Sequence, residues 1–231
     1  MKIRWKTFNR SLHKWLSILI GLQVLFWFLS GFVMTMLHID DVHGDHLVKQ
    51  PEAQNFSLKG LAPLSRLPFV DPVSSVRMAH REGQPIYLVS TGKESKAFDA
   101  TTGTVLAPLS GADAVKIAHR LLAQPASPRT VTLLTAPTRE YRAETPVWKL
   151  DYAEPENFSL YISPLTGQVR AVRNLRWRVF DFFWMLHIMD YSERENFNTP
   201  WIRALAGLAL VLTATGFFLA WQGVRRKKRT A

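Results

Sequence analysis

The fold is decided by WLSILIGLQVLFWFLSGFVMTML, residues 15–37, and by WIRALAGLALVLTATGFFLAWQ, residues 201–222. At about 1.5 Å per residue, a helix of either length crosses a hydrocarbon core of about 30 Å. The first stretch is longer than the apolar core of a secretory signal, and no small-x-small cleavage site follows it, so we expect an uncleaved anchor. Small residues that let helices approach closely recur in both stretches: Ser17, Gly21, Ser30, Gly31, Ala206, Gly207, Ala214 and Gly216.

Basic residues cluster outside the two apolar stretches. Residues 1–14 and 223–231 hold ten of the 29 lysines and arginines and no acid, which leaves 19 basic residues for all 18 acidic ones. Short basic segments stay on the cytoplasmic side of a membrane, so we expect both termini in the cytoplasm and residues 38–200 in the periplasm, at a bacterial inner membrane. The tails are expected to contact membrane lipid, and the near-neutral centre offers no basic surface to nucleic acid.

A repeat is visible between the two anchors. SKAFDATTGTVLAPL, residues 95–109, and FSLYISPLTGQVRAV, residues 158–172, each place a strand before a Thr-Gly-x-Val turn. Further strands precede them at residues 84–89 and 146–152. ADAVKIAHRLL, residues 112–122, has helical spacing, and residues 57–66 are expected to form its shorter counterpart. We therefore predict a membrane α+β protein, in which two transmembrane helices flank a duplicated helix-plus-antiparallel-sheet domain.

Two segments carry a resemblance to a known family. VWKLDYAEPENFSLYISPLTGQVRAVR, followed by an aromatic helix ending in Leu-His, resembles a PepSY domain, and LHKWLSILIGLQVLFWFLSGFVM resembles the first helix of PepSY-associated transmembrane proteins. The chain is identified as a small, two-helix member with a periplasmic, duplicated PepSY-like domain. Larger members resemble haem-bearing membrane reductases linked to iron-siderophore uptake, and soluble PepSY modules occur in protease propeptides and envelope regulators.

The predicted organisation has seven parts. They are a cytoplasmic basic tail (1–14), transmembrane helix 1 (15–37), a first PepSY-like repeat with its connector (38–110), a second repeat (111–175), an interfacial aromatic helix and loop (176–200), transmembrane helix 2 (201–222) and a second basic tail (223–231).

Histidines carry the candidate chemistry. The chain has no cysteine, which excludes disulfides, covalent haem attachment and thiolate metal sites. Imidazole is therefore the main candidate ligand for haem b, and the candidate residues are His13, which the resemblance favours, and His46 and His187 on the outer side. His13 and His38 lie at opposite mouths of the first helix, about 37 Å apart, so they cannot hold one haem. A site at His13 needs a second protomer or another protein; the alternative is a side chain that contacts headgroups.

The outer histidines offer two further hypotheses. His187 shares a helical stripe with aromatic residues in WRVFDFFWMLHIMDY, residues 177–191, and either packs there or converges with His46 on a cofactor. His43, Asp45 and His46 either bind a divalent metal or belong to a solvated connector. His80 and His119 are predicted to be structural.

Two functions remain open from the sequence. The first is an accessory subunit of haem-linked transmembrane electron transfer or iron-siderophore reduction, working as a homodimer or with a membrane or periplasmic redox protein. The alternative is a non-enzymatic envelope module that binds a protein partner or regulates a peptidase through its PepSY domain. The sequence contains no recognisable catalytic constellation, so whether the chain is an enzyme stays open.

Overall fold

The computed structural model describes residues 5–49, 55–68, 72–92 and 94–230. The chain forms two compact units, Met1–His38 with Val179–Ala231, and Ile39–Arg178. We call these the helical unit and the sheet unit and describe each by itself.

The helical unit contains the two predicted apolar helices. Helix α1 spans Trp5–Met36 and the C-terminal helix, α5, spans Pro200–Thr230. Their apolar spans, Phe8–Met36 and Pro200–Gln222, have mean hydropathies of 2.1 and 1.9 and are long enough to cross a membrane. Both helices continue into the basic segments, because lysine and arginine are good helix formers and no proline or glycine interrupts residues 5–14. The prediction of two apolar helices long enough to span a membrane is confirmed.

Helix α4, Leu175–Ile188, is the predicted aromatic helix, and the unit boundary falls within it. It ends three residues before the predicted end because Met189 adopts a left-handed φ of 52°. After this turn, Arg194 pairs with Asp181, and the Trp184 indole donates to the Arg194 carbonyl at 3.0 Å. These contacts hold the segment that follows α4 against the helix.

The first sheet of the sheet unit is antiparallel, in the order β1-β2-β3-β4. Its strands are β1 Ser75–Arg81, β2 Gln84–Ser90, β3 Ser95–Asp99 and β4 Val105–Leu106. A short helix, α2 Ile39–His43, and a 3₁₀ turn, Leu64–Arg66, precede it. Its core contains Tyr87, Val89 and Phe98.

The second sheet has the corresponding order, β5-β6-β7-β8. Its strands are β5 Thr130–Leu134, β6 Val147–Tyr152, β7 Phe158–Ile162 and β8 Val169–Arg173. Helix α3, Gly111–Leu121, begins at a capping box between Ser110 and Asp113. Its buried Ala114, Ile117 and Ala118 pack on the second sheet, so the helix and the sheet share one core.

Both predicted Thr-Gly turns form, and they close in the same way. Gly103 donates to the Asp99 carbonyl at 2.9 Å, and Gly167 donates to the Ser163 carbonyl at 2.8 Å. Both glycines have a left-handed φ, 79° and 72°. The Asp99 carboxylate and the Ser163 hydroxyl each accept from the backbone two and three residues further on.

The predicted helix over residues 57–66 is wrong. Within the described residues 55–68, only Leu64–Arg66 is helical, and it is a 3₁₀ turn. Gly60 has a φ of 79°, and Pro63 disfavours helical geometry at the residue before it. The first sheet therefore lacks a counterpart of α3 among the described residues, and the duplication of a whole helix-plus-sheet module stays a prediction.

Candidate functional site

His187 lies in the last turn of α4 and is held by α1. Its Nδ1 atom is 3.0 Å from the Ser30 hydroxyl oxygen, and its ring stacks on Trp27 with a centroid distance of 5.0 Å. A Cβ atom at Gly31 would lie 3.4 Å from Cε1 of the imidazole. That distance is ordinary van der Waals contact, so the ring packs closely on the surface of α1 beside the serine that binds it.

His13 has a similar environment, between α1, on which it lies, and α5. Its Nδ1 atom is 2.9 Å from the Thr215 hydroxyl oxygen on α5. A Cβ atom at Gly216 would lie 3.2 Å from His13 Cε1, which is closer than most side-chain contacts allow. Each imidazole is thus received by a hydroxyl residue followed by glycine on a neighbouring helix.

The hydroxyl groups fix the tautomer of both histidines. Ser30 donates to the Trp27 carbonyl at 2.9 Å, and Thr215 donates to the Leu212 carbonyl at 2.8 Å. Each hydroxyl has a single hydrogen, so it accepts from the imidazole, and Nδ1 carries the proton. In the neutral form of each ring, Nε2 then carries a lone pair, and no hydrogen bond from the described residues reaches that atom.

The two imidazoles lie at different levels of the helical unit. His13 and Ser30, the residue that binds His187, are 17 positions apart on α1, which corresponds to about 26 Å along the axis. A hydrocarbon core is about 30 Å thick. A single chain therefore presents one imidazole near each side of its apolar region.

The segment between α4 and α5 is held by Asp190, a buried residue. Its carboxylate accepts from the backbone N–H groups of Asn196 and Glu195 at 3.0 Å each and from Glu193 at 3.2 Å, with the Ser192 hydroxyl at 2.9 Å. The bond from Asn196, followed by those from the other donors, holds the pKa of Asp190 well below its ordinary value. The end of the helix that carries His187 is thereby anchored.

His46 lies in the sheet unit, within a cluster of charges. Its Nε2 atom contacts Glu156, and its Nδ1 atom lies 3.7 Å from Asp41. Arg176 approaches the same two carboxylates, at 3.8 Å from Asp41 and 4.0 Å from Glu156. Both ring nitrogens of His46 therefore face carboxylates. His46 and His187 belong to different units, and their convergence on one cofactor stays a prediction.

The three residues of the predicted metal site do not line one cavity. His43 and Asp45 line the larger cavity of the sheet unit, and His46 lines a smaller one of about 270 Å³. Among the residues that the structure describes, no group of three His, Cys, Asp or Glu side chains is arranged to hold a metal ion. The structure thus does not assemble these residues into a ligand set.

Two histidines of the sheet unit, His80 and His119, were predicted to be structural. His80, on β1, stacks against Phe56 with a centroid distance of 4.1 Å, and His119 is exposed on α3. Sequence reasoning identified Ser30, Gly31 and Gly216 only as small packing residues, and it missed Thr215. The available signal was a hydroxyl residue close to glycine within an apolar helix.

Comparison with protein families identifies the family of this chain. A family model described as PepSY-associated TM region matches residues 10–231. No curated protein and no solved structure matches the chain significantly.

Proposed function

Because the chain belongs to the PepSY-associated transmembrane family, we propose that it is an accessory subunit of haem-linked transmembrane electron transfer or iron-siderophore reduction. The observation that carries this proposal is the pair of imidazoles whose Nδ1–H groups are committed to hydroxyl oxygens. Both rings keep an Nε2 lone pair that is free to bind iron.

The donor set fits haem b, which binds without covalent attachment. Ligating histidines typically donate their other ring N–H to a neighbouring acceptor, which fixes the tautomer and the ring orientation. His13 and His187 satisfy this requirement through Thr215 and Ser30. The chain has no cysteine to supply a thiolate ligand or a thioether link. When bound, the iron would supply a reversible one-electron acceptor.

The surrounding residues orient the two rings. The serine and threonine hydroxyls hold Nδ1, and the stack on Trp27 restricts rotation of His187. At Gly216 the absence of a side chain leaves room for the His13 ring. In this proposal each level of the chain would supply one imidazole ligand to haem, and a second ligand would come from another copy of the chain or from a membrane or periplasmic redox protein.

The orientation in the inner membrane is part of the proposal. The ten basic residues of the two tails favour cytoplasmic termini, which puts residues 38–200 in the periplasm. His13 is then nearer the cytoplasm, and His187 is nearer the periplasm. Electrons would pass outward, toward a ferric or flavin-linked acceptor.

Absorption spectroscopy of the detergent-purified chain, expressed with a haem supply, tests the proposal. We expect a Soret band that shifts on reduction with dithionite and that is lost or reduced by half in His13→Ala and His187→Ala. His119→Ala is the matched control, because it removes an exposed imidazole of the sheet unit. A colourless wild-type protein, or equal haem content in all variants, would contradict the proposal.

A further inference from the structure

A large groove lies within the sheet unit, and neither His13 nor His187 lines it. Its volume is about 1090 Å³, and four consecutive residues of β1 (77–80) and four of β8 (169–172) line it. Side chains of successive strand residues point to opposite faces of a sheet. A cavity that is lined by four consecutive residues of a strand therefore lies along the edge of that strand and not on one face of the sheet.

Both strands are edge strands of their sheets. β1 is the outermost strand of the first sheet, and β8 is the outermost strand of the second. An edge strand presents unpaired backbone N–H and C=O groups that can pair with another chain. The β8 edge is partly covered, because a Cβ atom at Gly44 would lie 2.7 Å from Val172. On β1, Phe56 stacks on the His80 ring, but among the described residues no backbone hydrogen bond reaches the outer edge of the strand.

The charges around the groove are mainly positive. Its lining includes four basic side chains and two acidic ones: Lys49, Arg77, Arg120, Arg170, Asp45 and Glu82. Glu82 is already paired with Arg120. The ion pair of Arg77 with Glu144 is long, at 3.9 Å, and both side chains are exposed. Positive charge therefore remains available to a ligand along the β1 edge.

We propose that this groove binds an extended, acidic polypeptide segment, which adds to β1 as a further strand. Backbone hydrogen bonds to β1 give the affinity, and the arginines of the groove contact the carboxylates of the segment. The inference goes beyond haem-linked electron transfer, since no groove residue belongs to the His13 or His187 sites. The occupant is a partner protein with an exposed acidic strand or tail.

The test uses the full chain in nanodiscs of neutral lipid and a fluorescent, end-capped octapeptide of alternating glutamate and valine. We expect saturable binding, measured by fluorescence anisotropy, and slower amide hydrogen exchange at residues 75–81. A peptide with lysine in place of glutamate should bind at least about tenfold more weakly. N-methylation of alternate residues on the pairing edge should abolish binding while the side chains stay the same.

Charge reversal separates the groove from the basic tails. Arg77→Glu should weaken binding about tenfold, whereas Lys96→Glu should not. Lys96 is a matched control because it lies on β3 outside the groove and its side chain is 62% exposed, against 60% for Arg77. Equal binding by the two variants, or binding without slower exchange in β1, would overturn the proposal. The absence of any binding would also overturn the proposal, and it would mean that the arginines only prevent the edge strand from pairing with other chains.

Discussion

Replacing Ser30 by alanine tests whether a single hydroxyl fixes the tautomer of His187. The substitution removes the acceptor 3.0 Å from Nδ1, and it leaves the Trp27 stack and the space above Gly31 in place. Ser30 is fully buried, so solvent does not readily take over its role. We expect the protonated nitrogen of His187 to shift from Nδ1 toward Nε2.

The expected size of this shift follows from the strength of one interhelical hydrogen bond. In membrane-spanning regions such bonds are worth about 0.6 to 1.7 kcal/mol. Since 1.4 kcal/mol corresponds to about a factor of ten, the ratio of the two tautomers should change by about threefold to sixteenfold. The wild-type protein should show the Nδ1–H form as the major species.

Nitrogen-15 NMR of the haem-free protein, labelled at histidine and held in nanodiscs, reads the tautomer directly. The His187 signals are assigned by their loss in His187→Ala. Thr35→Ala is the matched control, because the Thr35 hydroxyl donates to the Phe32 carbonyl on the same helix, as Ser30 does to Trp27, and no imidazole binds it. This control should leave the His187 tautomer unchanged.

Two results would refute the reasoning. One is a wild-type His187 that is protonated mainly at Nε2, and the other is a tautomer ratio that Ser30→Ala changes no more than the control does. The same logic applies to His13, with Thr215→Ala as the test. Thr213→Ala is its control, since that hydroxyl donates to the Ala209 carbonyl.

Three further predictions concern the parts that support the sites. Glu140→Gln should lower the free energy of unfolding by about 2 kcal/mol, measured by thermal unfolding. Burial by itself would raise the pKa of Glu140, but the hydrogen bonds and the charge of Arg178 outweigh burial and lower that pKa. Gly167→Ala should lower the free energy of unfolding by about 2 kcal/mol, because the φ of Gly167 is 72° and the new Cβ would lie 2.8 Å from Ile117. Asp190→Asn should raise amide exchange in the following loop at neutral pH. In the wild type this protection should be lost only as the pH falls below about 4, since the folded-state pKa lies below the unfolded value.

Each of these predictions has a matched control. Glu144→Gln removes a carboxylate that is 77% exposed and should have little effect on unfolding. Gly83→Ala changes a glycine with a φ of 84° and nothing within 4 Å, so it isolates backbone strain from steric clash. Glu193→Gln keeps the backbone donor to Asp190 and should leave loop exchange unchanged. Equal effects of a variant and its control would contradict the corresponding mechanism.

Sequence periodicity identified most of the secondary structure because the signals were local. The apolar lengths predicted α1 and α5, and the Thr-Gly turns placed β3 and β7 correctly. The failed helix at residues 57–66 shows the limit of spacing arguments, since Gly60 and Pro63 outweighed the apolar pattern.

The candidate site depended on tertiary pairing that no local pattern contains. The sequence identified His13 and His187 as candidates, but Thr215 lies 202 positions from His13 in the chain, and Ser30 lies 157 positions from His187. Which hydroxyl meets which imidazole depends on the rotation and register of packed helices. The tautomer is therefore a property of the folded unit alone.

A short ladder joins residues 47–49, called here the connector, to residues 121–123 at the C-terminal end of α3, and it bears on the order of folding during synthesis. Leu47 accepts from Ala123 at 2.9 Å, Lys49 donates to Leu121 at 2.8 Å, and Val48 bridges to Leu122. At about 5 to 20 residues per second, the ribosome reaches these partners about 4 to 15 seconds after it has made the connector. The whole first sheet is synthesised within that interval. The hydrogen bonds between the connector and residues 121–123 therefore form only after the first sheet has been synthesised.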